Sequence, residues 1–583
     1  MTIAFQGIGV AASQSVAIGP AYLTGHGLSS ATPTPIHPDQ VGGELNRLNQ
    51  AVAAARRALK LVRAQVPRAT PLNIAEFIDA HLLMLEDVAL VDEVRKIIRD
   101  QLYCAEWALQ MQRDTLVRVF DAMDDPYLRT RRDDVEHVVH QIMSFLQGAQ
   151  LQFDPDARDL AGCVVVARDL MPADAIVLRH RGAAAFVTEY GGPVSHTAIL
   201  ARSLGVPAVV GVHNITRYVR QGEPLIVDGE TGTVLADPDA ATLDYYRERL
   251  DAIEARRQHL HTLVDRPTAT RDGTAIGLLA NLELPEDAAS ARLNGAAGVG
   301  LYRTEFLYMN RDDLPDEEEH LATYATIVTA LAGLPLTIRT LDLGLDKRSE
   351  ALGDLGTGAS NPALGLRGIR LCLKEPGLFR PQLRAILRAS ALGPVRVMLP
   401  MVTNIQEIEA VLALLAQLKE ELTREGLAFD PALPVGAMVE VPAAALAARS
   451  LTRRLDFLSI GTNDLIQYSL AIDRLDEAVS YLFDPTHPAI LRLIQMTIEA
   501  GHALATPVAM CGEMAGDPRF TRLLLALGLR HFSIQPGALL AVKEIILDTD
   551  LGELEAQTHD LLARLDDAEP GELLDALDTL NRL

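Results

Sequence analysis

Beyond Pro267, short apolar runs recur near residues 275–281, 298–302, 335–340, 395–400, 434–439, 457–460, 507–511 and 530–534, and a helical pattern follows each. Eight strand–helix units in succession point to closure into a (β/α)8 TIM-type barrel. A doubly wound open sheet is the alternative, and the number of units favours the barrel. A long gap follows the third run. It holds Gly353, Gly356, Gly358 and Pro362 and reads as an excursion or loop over the barrel mouth.

The barrel does not account for the whole chain. At 583 residues the protein is too long for one hydrophobic core and implies about three domains. Residues 5–24 read as short strands, Gly7 to Ala11 and then Val16 to Gly19. From 37 to 148 the pattern turns helical: Leu45, Leu48, Val52, Ala55, Leu59 and Val62 recur three and four apart and make one apolar stripe. Helical segments continue near 73–99, 104–123 and 130–147, broken by Pro71 and by Asp124-Asp125-Pro126. Strand signals return at 163–167, 184–188, 207–211 and 224–228. The expected organisation is multidomain α/β. An α/β domain of 1–36 and 149–237 is interrupted by a helical insert at 37–148, then followed by a linker helix at 238–265 and the barrel at 266–583.

Lys plus Arg number 53 against 77 for Asp plus Glu, a formal charge of -24. This acidity excludes a general nucleic-acid binder and suits small or basic partners. Cys104, Cys163, Cys372 and Cys511 are far apart with no CxxC pair, so neither a disulfide framework nor a zinc site is indicated. No run of 18 apolar residues and no charged-then-apolar leader is present, so no membrane insertion and a cytoplasmic location are expected.

Chemistry in such barrels gathers at the carboxyl ends of the strands. Here those ends carry Arg303, then Arg339 with Lys347 shortly after, then Glu440, then Asn463 and Asp464 with Arg474 ten residues beyond Asp464, then Cys511. Three arginines suit a small polyanionic substrate, because guanidinium donors match phosphate and carboxylate. Glu440 and Asp464 on neighbouring strand ends are hard oxygen donors of the kind Mg²⁺ takes beside phosphate. Cys511 could exchange a proton. Each residue alone has a plainer reading: a salt-bridge arginine, a capping carboxylate, a buried small hydrophobe. Their convergence on one mouth is what points to chemistry. A second candidate lies in Gly191-Gly192-Pro193-Val194-Ser195-His196-Thr197-Ala198-Ile199-Leu200-Ala201-Arg202. Ser195 would cap a helix whose first turn holds His196, where N–H donors and the dipole favour an anion. A satisfied histidine at a loop–helix junction is the plainer alternative.

That stretch resembles the phosphohistidine signature of the PEP-utilising enzymes. Asp456-Phe457-Leu458-Ser459-Ile460-Gly461-Thr462-Asn463-Asp464-Leu465-Ile466-Gln467-Tyr468 is similar to the second signature of the same family. Gly300-Leu301-Tyr302-Arg303-Thr304-Glu305-Phe306-Leu307 and Arg384-Ala385-Ile386-Leu387-Arg388-Ala389-Ser390 fit as well. Order and length resemble the enzyme I family of the bacterial phosphoenolpyruvate:sugar phosphotransferase system.

The resemblance implies transfer of the phosphoryl group of phosphoenolpyruvate to His196 through Nε2, release of pyruvate, and delivery to a histidine of the carrier HPr, the first step of sugar uptake. It implies that Arg303, Arg339, Arg474 and Asn463 hold the substrate, with Lys347 and Arg367 at further active-site positions. Glu440 and Asp464 would bind Mg²⁺, and Cys511 would donate a proton. It implies HPr docking on the 37–148 insert, where His81-Leu82-Leu83-Met84-Leu85-Glu86-Asp87 forms an apolar strip with acidic neighbours, and a homodimer through the barrel. Ala75, Val88 and Ala89 make this segment less acidic than the family's, which raises a specialised HPr-like carrier and a regulatory, nitrogen-type role as the alternative. Ile534-Gln535-Pro536-Gly537 also departs from the serine-containing stretch expected at strand eight. A pyruvate phosphate dikinase or PEP synthase would need an ATP-binding domain, and no Walker-type loop precedes His196.

Overall fold

A computed structural model of the chain describes residues 2–10, 15–24, 32–65, 81–85, 88–121, 126–147, 160–170, 175, 178–179, 181–192, 195–203, 205–308, 313–343, 362–473 and 479–563. The chain divides into two units, Met1–Glu254 and Ala255–Leu583.

The first unit contains β1 (Ile3–Gln6), β2 (Ile8–Val10), β3 (Val16–Leu23), β4 (Val164–Ala167), β5 (Ala185–Thr188), β6 (Ala208–Val210), β7 (Pro224–Asp228) and β8 (Thr233–Ala236). They form one sheet in the order β1-β8-β7-β3-β4-β5-β6-β2. The run β3 to β6 is parallel and the flanking pairs are antiparallel. Period-two alternation divides β4 between two cores. Val165 packs with the helical insert, whereas Val164 and Val166 join Val227 and Val234 on the other face.

The insert between β3 and β4 contributes helices Val41–Gln65, Glu93–Gln101, Ala105–Asp121 and Pro126–Leu146. The stripe read from sequence is its buried face: Leu48, Ala55 and Leu59 are in the core, and Leu45 and Val52 pack against it. The Val62 side chain lies outside the described residues. Sheet residues Val10, Phe186 and Val210 belong to the same core, so insert and sheet share one interior. The polar helix Ala240–His261 follows β8 and buries no residue. Arg249, in the first unit, pairs with Asp228 at 2.6 Å and Glu230 at 2.7 Å. Arg256, in the second, pairs with Glu544. The division between the units falls inside this helix.

The second unit is a closed, all-parallel barrel of β9 (Gly277–Leu282), β10 (Val299–Tyr302), β11 (Leu336–Arg339), β12 (Val395–Leu399), β13 (Val435–Val439), β14 (Phe457–Ile460), β15 (Val508–Met510) and β16 (His531–Ile534). Pairing of β16 with β9 closes it. Strands in such a sheet are covered on both faces, which is why each appears in sequence as an apolar run. Val397, Leu399, Ala437, Val439, Leu458, Ile460 and Met510 belong to the large helix-facing core. Met398, Met438, Phe457 and Cys511, at the alternate positions, form a small separate cluster with Leu301 that fills the barrel interior.

The outer helices start on explicit signals. Asp316 and Glu319 make a capping box for Glu317–Leu331, and Asn404 with Glu407 does so for Ile405–Glu425. After β11 the chain forms helices Gly368–Lys374 and Pro376–Ala389 before β12. Gly353, Gly356 and Gly358 of the expected excursion lie outside the described residues. No helix among the described residues is long and apolar enough to cross a membrane.

Candidate active site

The strand order β10-β11-β12-β13-β14-β15 brings most of the sequence-identified groups to one barrel mouth. Arg339 ends β11 and is buried. Its Nη2 donates to Glu305 Oε1 at 2.7 Å, and its Nη1 lies 3.3 Å from Asp342 Oδ2. Two carboxylates thereby fix the plane of the guanidinium, and its buried Nε–H has no hydrogen-bond partner among the described residues. Glu305 Oε1 also accepts the Asp342 backbone N–H at 3.0 Å. Asp342 continues the chain to Arg367, whose Nη2 lies 3.2 Å from its Oδ1. Arg367 Nη1 donates to Tyr468 Oη at 3.1 Å, and Nη2 lies 3.8 Å from Asp464 Oδ2. Neighbouring carboxylates hold both Arg339 and Arg367 firmly protonated against burial. Arg303 is half-exposed and pairs with Glu283 across β9 and β10.

Asp342, Glu440 and Asp464 each offer a carboxylate oxygen, and these oxygens lie within 4.8 Å of one another. Glu440 is 1% exposed. Burial, then the charges of Asp342 and Asp464, push its carboxyl up to about 8. Like charges at this separation disfavour one another's ionisation, and a cation bound among them would relieve that repulsion. The donor set is all hard oxygen, which fits a divalent cation such as Mg²⁺. Asp342 already faces two guanidiniums, which casts it as scaffold more than ligand.

Backbone geometry permits this packing. Gly461 crosses over Glu440 so closely that a Cβ there would sit 3.2 Å from Glu440 Oε2. Gly368 has φ +52°, and its Cβ would lie 2.8 Å from Met401 Cβ and 3.1 Å from Asp342 Oδ1. Met401 itself adopts φ 55°, unusual for a non-glycine residue. That conformation aims its backbone N–H at Glu440 Oε1, 2.5 Å away.

Asn463 lies in the first turn of helix Thr462–Leu470 and exchanges two hydrogen bonds with Glu513, 2.9 and 3.0 Å. Cys511 follows β15, is buried, and donates its S–H to Ile460 O at 3.6 Å. Burial pushes its thiol up. Lys347 and Arg474 lie outside the described residues.

His196 belongs to the first unit and opens helix His196–Ser203; its imidazole lies outside the described side chains. Ser195 caps the helix, accepting the Ala198 N–H on Oγ at 3.4 Å. Thr197 Oγ1 donates to Leu170 O at 3.0 Å and anchors the first turn. In the insert the 81–87 strip divides: His81 and Leu85 are buried, whereas Leu83 is 69% exposed. Glu86 and Asp87 lie outside the described residues.

Three family profiles match in order: the PEP-utilising enzyme N-terminal region over residues 8–131, the mobile domain over 160–232, and the PEP-binding domain over 257–551. The chain is 46% identical to a phosphoenolpyruvate-protein phosphotransferase of Cupriavidus necator, covering 97% of this chain and 98% of that one. The chain belongs to the phosphoenolpyruvate-protein phosphotransferase family of PEP-utilising enzymes. Two further members of the family are similarly related. That of Geobacillus stearothermophilus is 40% identical over 92% of both chains, and that of Bacillus subtilis strain 168 is 38% identical over 95% of this chain and 96% of its own.

Within this phosphotransferase-family barrel, sequence reasoning passed over Glu305, Asp342, Met401 and Tyr468. Glu305 and Asp342 do follow apolar runs, a position that could have flagged them. Met401 acts across strands with no local pattern to mark it, and Tyr468, which closes the second signature, reaches Arg367 only through the fold.

Proposed function

We propose that this chain carries the phosphoryl group of phosphoenolpyruvate onto His196 and then onto a histidine of HPr or an HPr-like carrier, releasing pyruvate. Near-full-length identity to phosphoenolpyruvate-protein phosphotransferases carries the reading. The acidic and guanidinium cluster at the barrel mouth supports it, because phosphoryl transfer asks mainly for positioning and charge stabilisation.

In this reading Arg303 and Arg339 hold the transferring group, and Asn463, Arg474, Lys347 and Arg367 position the rest of the substrate. Glu305 and Asp342 keep Arg339 in one orientation, so its charge needs no reorganisation as negative charge spreads over the phosphoryl oxygens. Glu440 and Asp464 hold Mg²⁺, which when bound neutralises part of that charge. Cys511 gives a proton to the enolate carbon. His196, at the helix start, is the nucleophile. The helix within 238–265 serves as the arm on which the phosphohistidine domain travels, the 37–148 insert docks the carrier, and two copies associate through the barrel.

The acceptor experiment separates sugar uptake from regulation. The protein is given labelled phosphoenolpyruvate and Mg²⁺ together with an excess of HPr-like carriers from the same cell, and pyruvate is measured against label on the carrier. One mole of pyruvate per mole of carrier phosphorylated is expected. Pyruvate without carrier labelling would contradict the assignment. A preference for a nitrogen-type carrier would favour the regulatory paralogue, a reading motivated by Val88 and Ala89 in the insert.

A further inference from the structure

Ser459, on β14, is 1% exposed. It lies two residues beyond Phe457, so alternation turns it into the barrel interior with Phe457 and Cys511. The strand register sets Ser459 against Ala509, two residues before Cys511. Among the described residues its hydroxyl makes no aligned hydrogen bond. It still faces the Cys511 sulfur closely enough to draw the thiol's pKa down, against the larger upward push of burial. Glu440 just after β13 also pushes it up, and Arg339 on β11 and Arg303 just after β10 draw it down.

The rest of Cys511 is held from its other flank, by β9 and β16. Its carbonyl accepts Asn281 Nδ2–H at 3.0 Å, and Asn281 Oδ1 accepts Ser533 Oγ–H at 2.6 Å. The sulfur therefore sits at a fixed place, its S–H on Ile460 O and the Ser459 hydroxyl beside it. An unpartnered buried hydroxyl costs stability, and alanine at that position would remove the cost. A thiolate, in contrast, would give the hydroxyl a strong acceptor.

We propose that Ser459 is a positioning residue for proton transfer at the barrel mouth, donating its hydroxyl hydrogen bond to the Cys511 thiolate as it forms. The inference rests on the reading of Cys511 as proton donor. In that step the S–H bond of Cys511 breaks while a C–H bond forms at C3 of enolpyruvate. The enolate π pair makes the new bond, and the oxygen-bearing carbon becomes the ketone of pyruvate. Sulfur keeps the S–H bonding pair and accepts the Ser459 O–H. A proton from water restores the thiol once pyruvate has left.

Single-turnover rapid quench on the full-length Mg²⁺-loaded protein tests this, reading phosphohistidine and pyruvate in the same samples. In Ser459→Ala, label should reach His196 at close to the wild-type rate while pyruvate lags about tenfold, the worth of one hydrogen bond to a charged group. The KM for phosphoenolpyruvate and the thermal midpoint should not fall, and Ser459→Thr should restore most of the pyruvate rate. In a Cys511→Ala background, Ser459→Ala should have no further effect. Pyruvate keeping pace with label in Ser459→Ala, while Cys511→Ala is slow, would overturn the role of Ser459 and leave that of Cys511 standing. An undiminished pyruvate rate in Cys511→Ala would overturn both. An equal slowing by Ser459→Ala with and without Cys511 would place its effect elsewhere and overturn the proposal.

Discussion

Glu440 holds its proton more tightly in the folded protein than in the unfolded chain, because burial and two neighbouring carboxylates raise its pKa from an ordinary 4.5 to about 8. Its favourable contribution is complete below the ordinary value and is lost as pH rises through about 8. Metal-free protein should therefore lose thermal stability across that window, and Glu440→Gln should flatten the slope. Mg²⁺ should raise the midpoint increasingly over the same window, as protons cease to compete for the site. Scanning fluorimetry with and without Mg²⁺ checks both; an unchanged slope in Glu440→Gln would refute the assignment. Gly368 gives a second test. An alanine there takes on a left-handed backbone and meets Met401 and the Asp342 carboxylate. Urea unfolding of Gly368→Ala should show a loss of roughly 1–2 kcal/mol.

At the scale of elements, Gln382 shows how the helix Pro376–Ala389 is tied to the strand ends at the barrel mouth. It accepts the Leu341 N–H at 3.1 Å and donates to Thr304 Oγ1 at 3.1 Å, while Thr304 donates to Arg339 O at 3.0 Å. Gln382→Ala should cost roughly 1–3 kcal/mol by stranding buried groups, and should raise the KM for phosphoenolpyruvate by loosening Arg339. Calorimetry and steady-state kinetics read the two effects. The same elements show what sequence can carry. All eight barrel strands were legible because burial on both faces writes each as an apolar run, and the residues after each run were legible as candidates. Strands β1 and β8 were not read: β1 is a four-residue edge strand with no buried residue, and β8, an inner strand, alternates over only four residues, too short a run to stand out as a pattern. The Glu305–Arg339–Asp342–Arg367 chain was only half legible. Arg339 and Arg367 are visible singly, but Glu305 and Asp342 were passed over, and the pairing depends on register and crossover between distant segments. The strip at 81–87 shows the reverse limit, for its periodicity does not distinguish buried His81 and Leu85 from exposed Leu83.

At the scale of the whole molecule, two units with separate cores should unfold as separate events. Calorimetry should resolve two transitions, and phosphoenolpyruvate analogues with Mg²⁺ should raise the midpoint of the barrel transition while leaving the other in place. The central claim joins the two units: the group bound at the barrel mouth ends on a histidine of the first unit. Incubation with radiolabelled phosphoenolpyruvate and Mg²⁺, followed by peptide mapping, tests that claim directly. The account predicts acid-labile, base-stable label on the peptide containing His196, and none in His196→Ala. Label that persists in His196→Ala, or that maps to another residue, would contradict it.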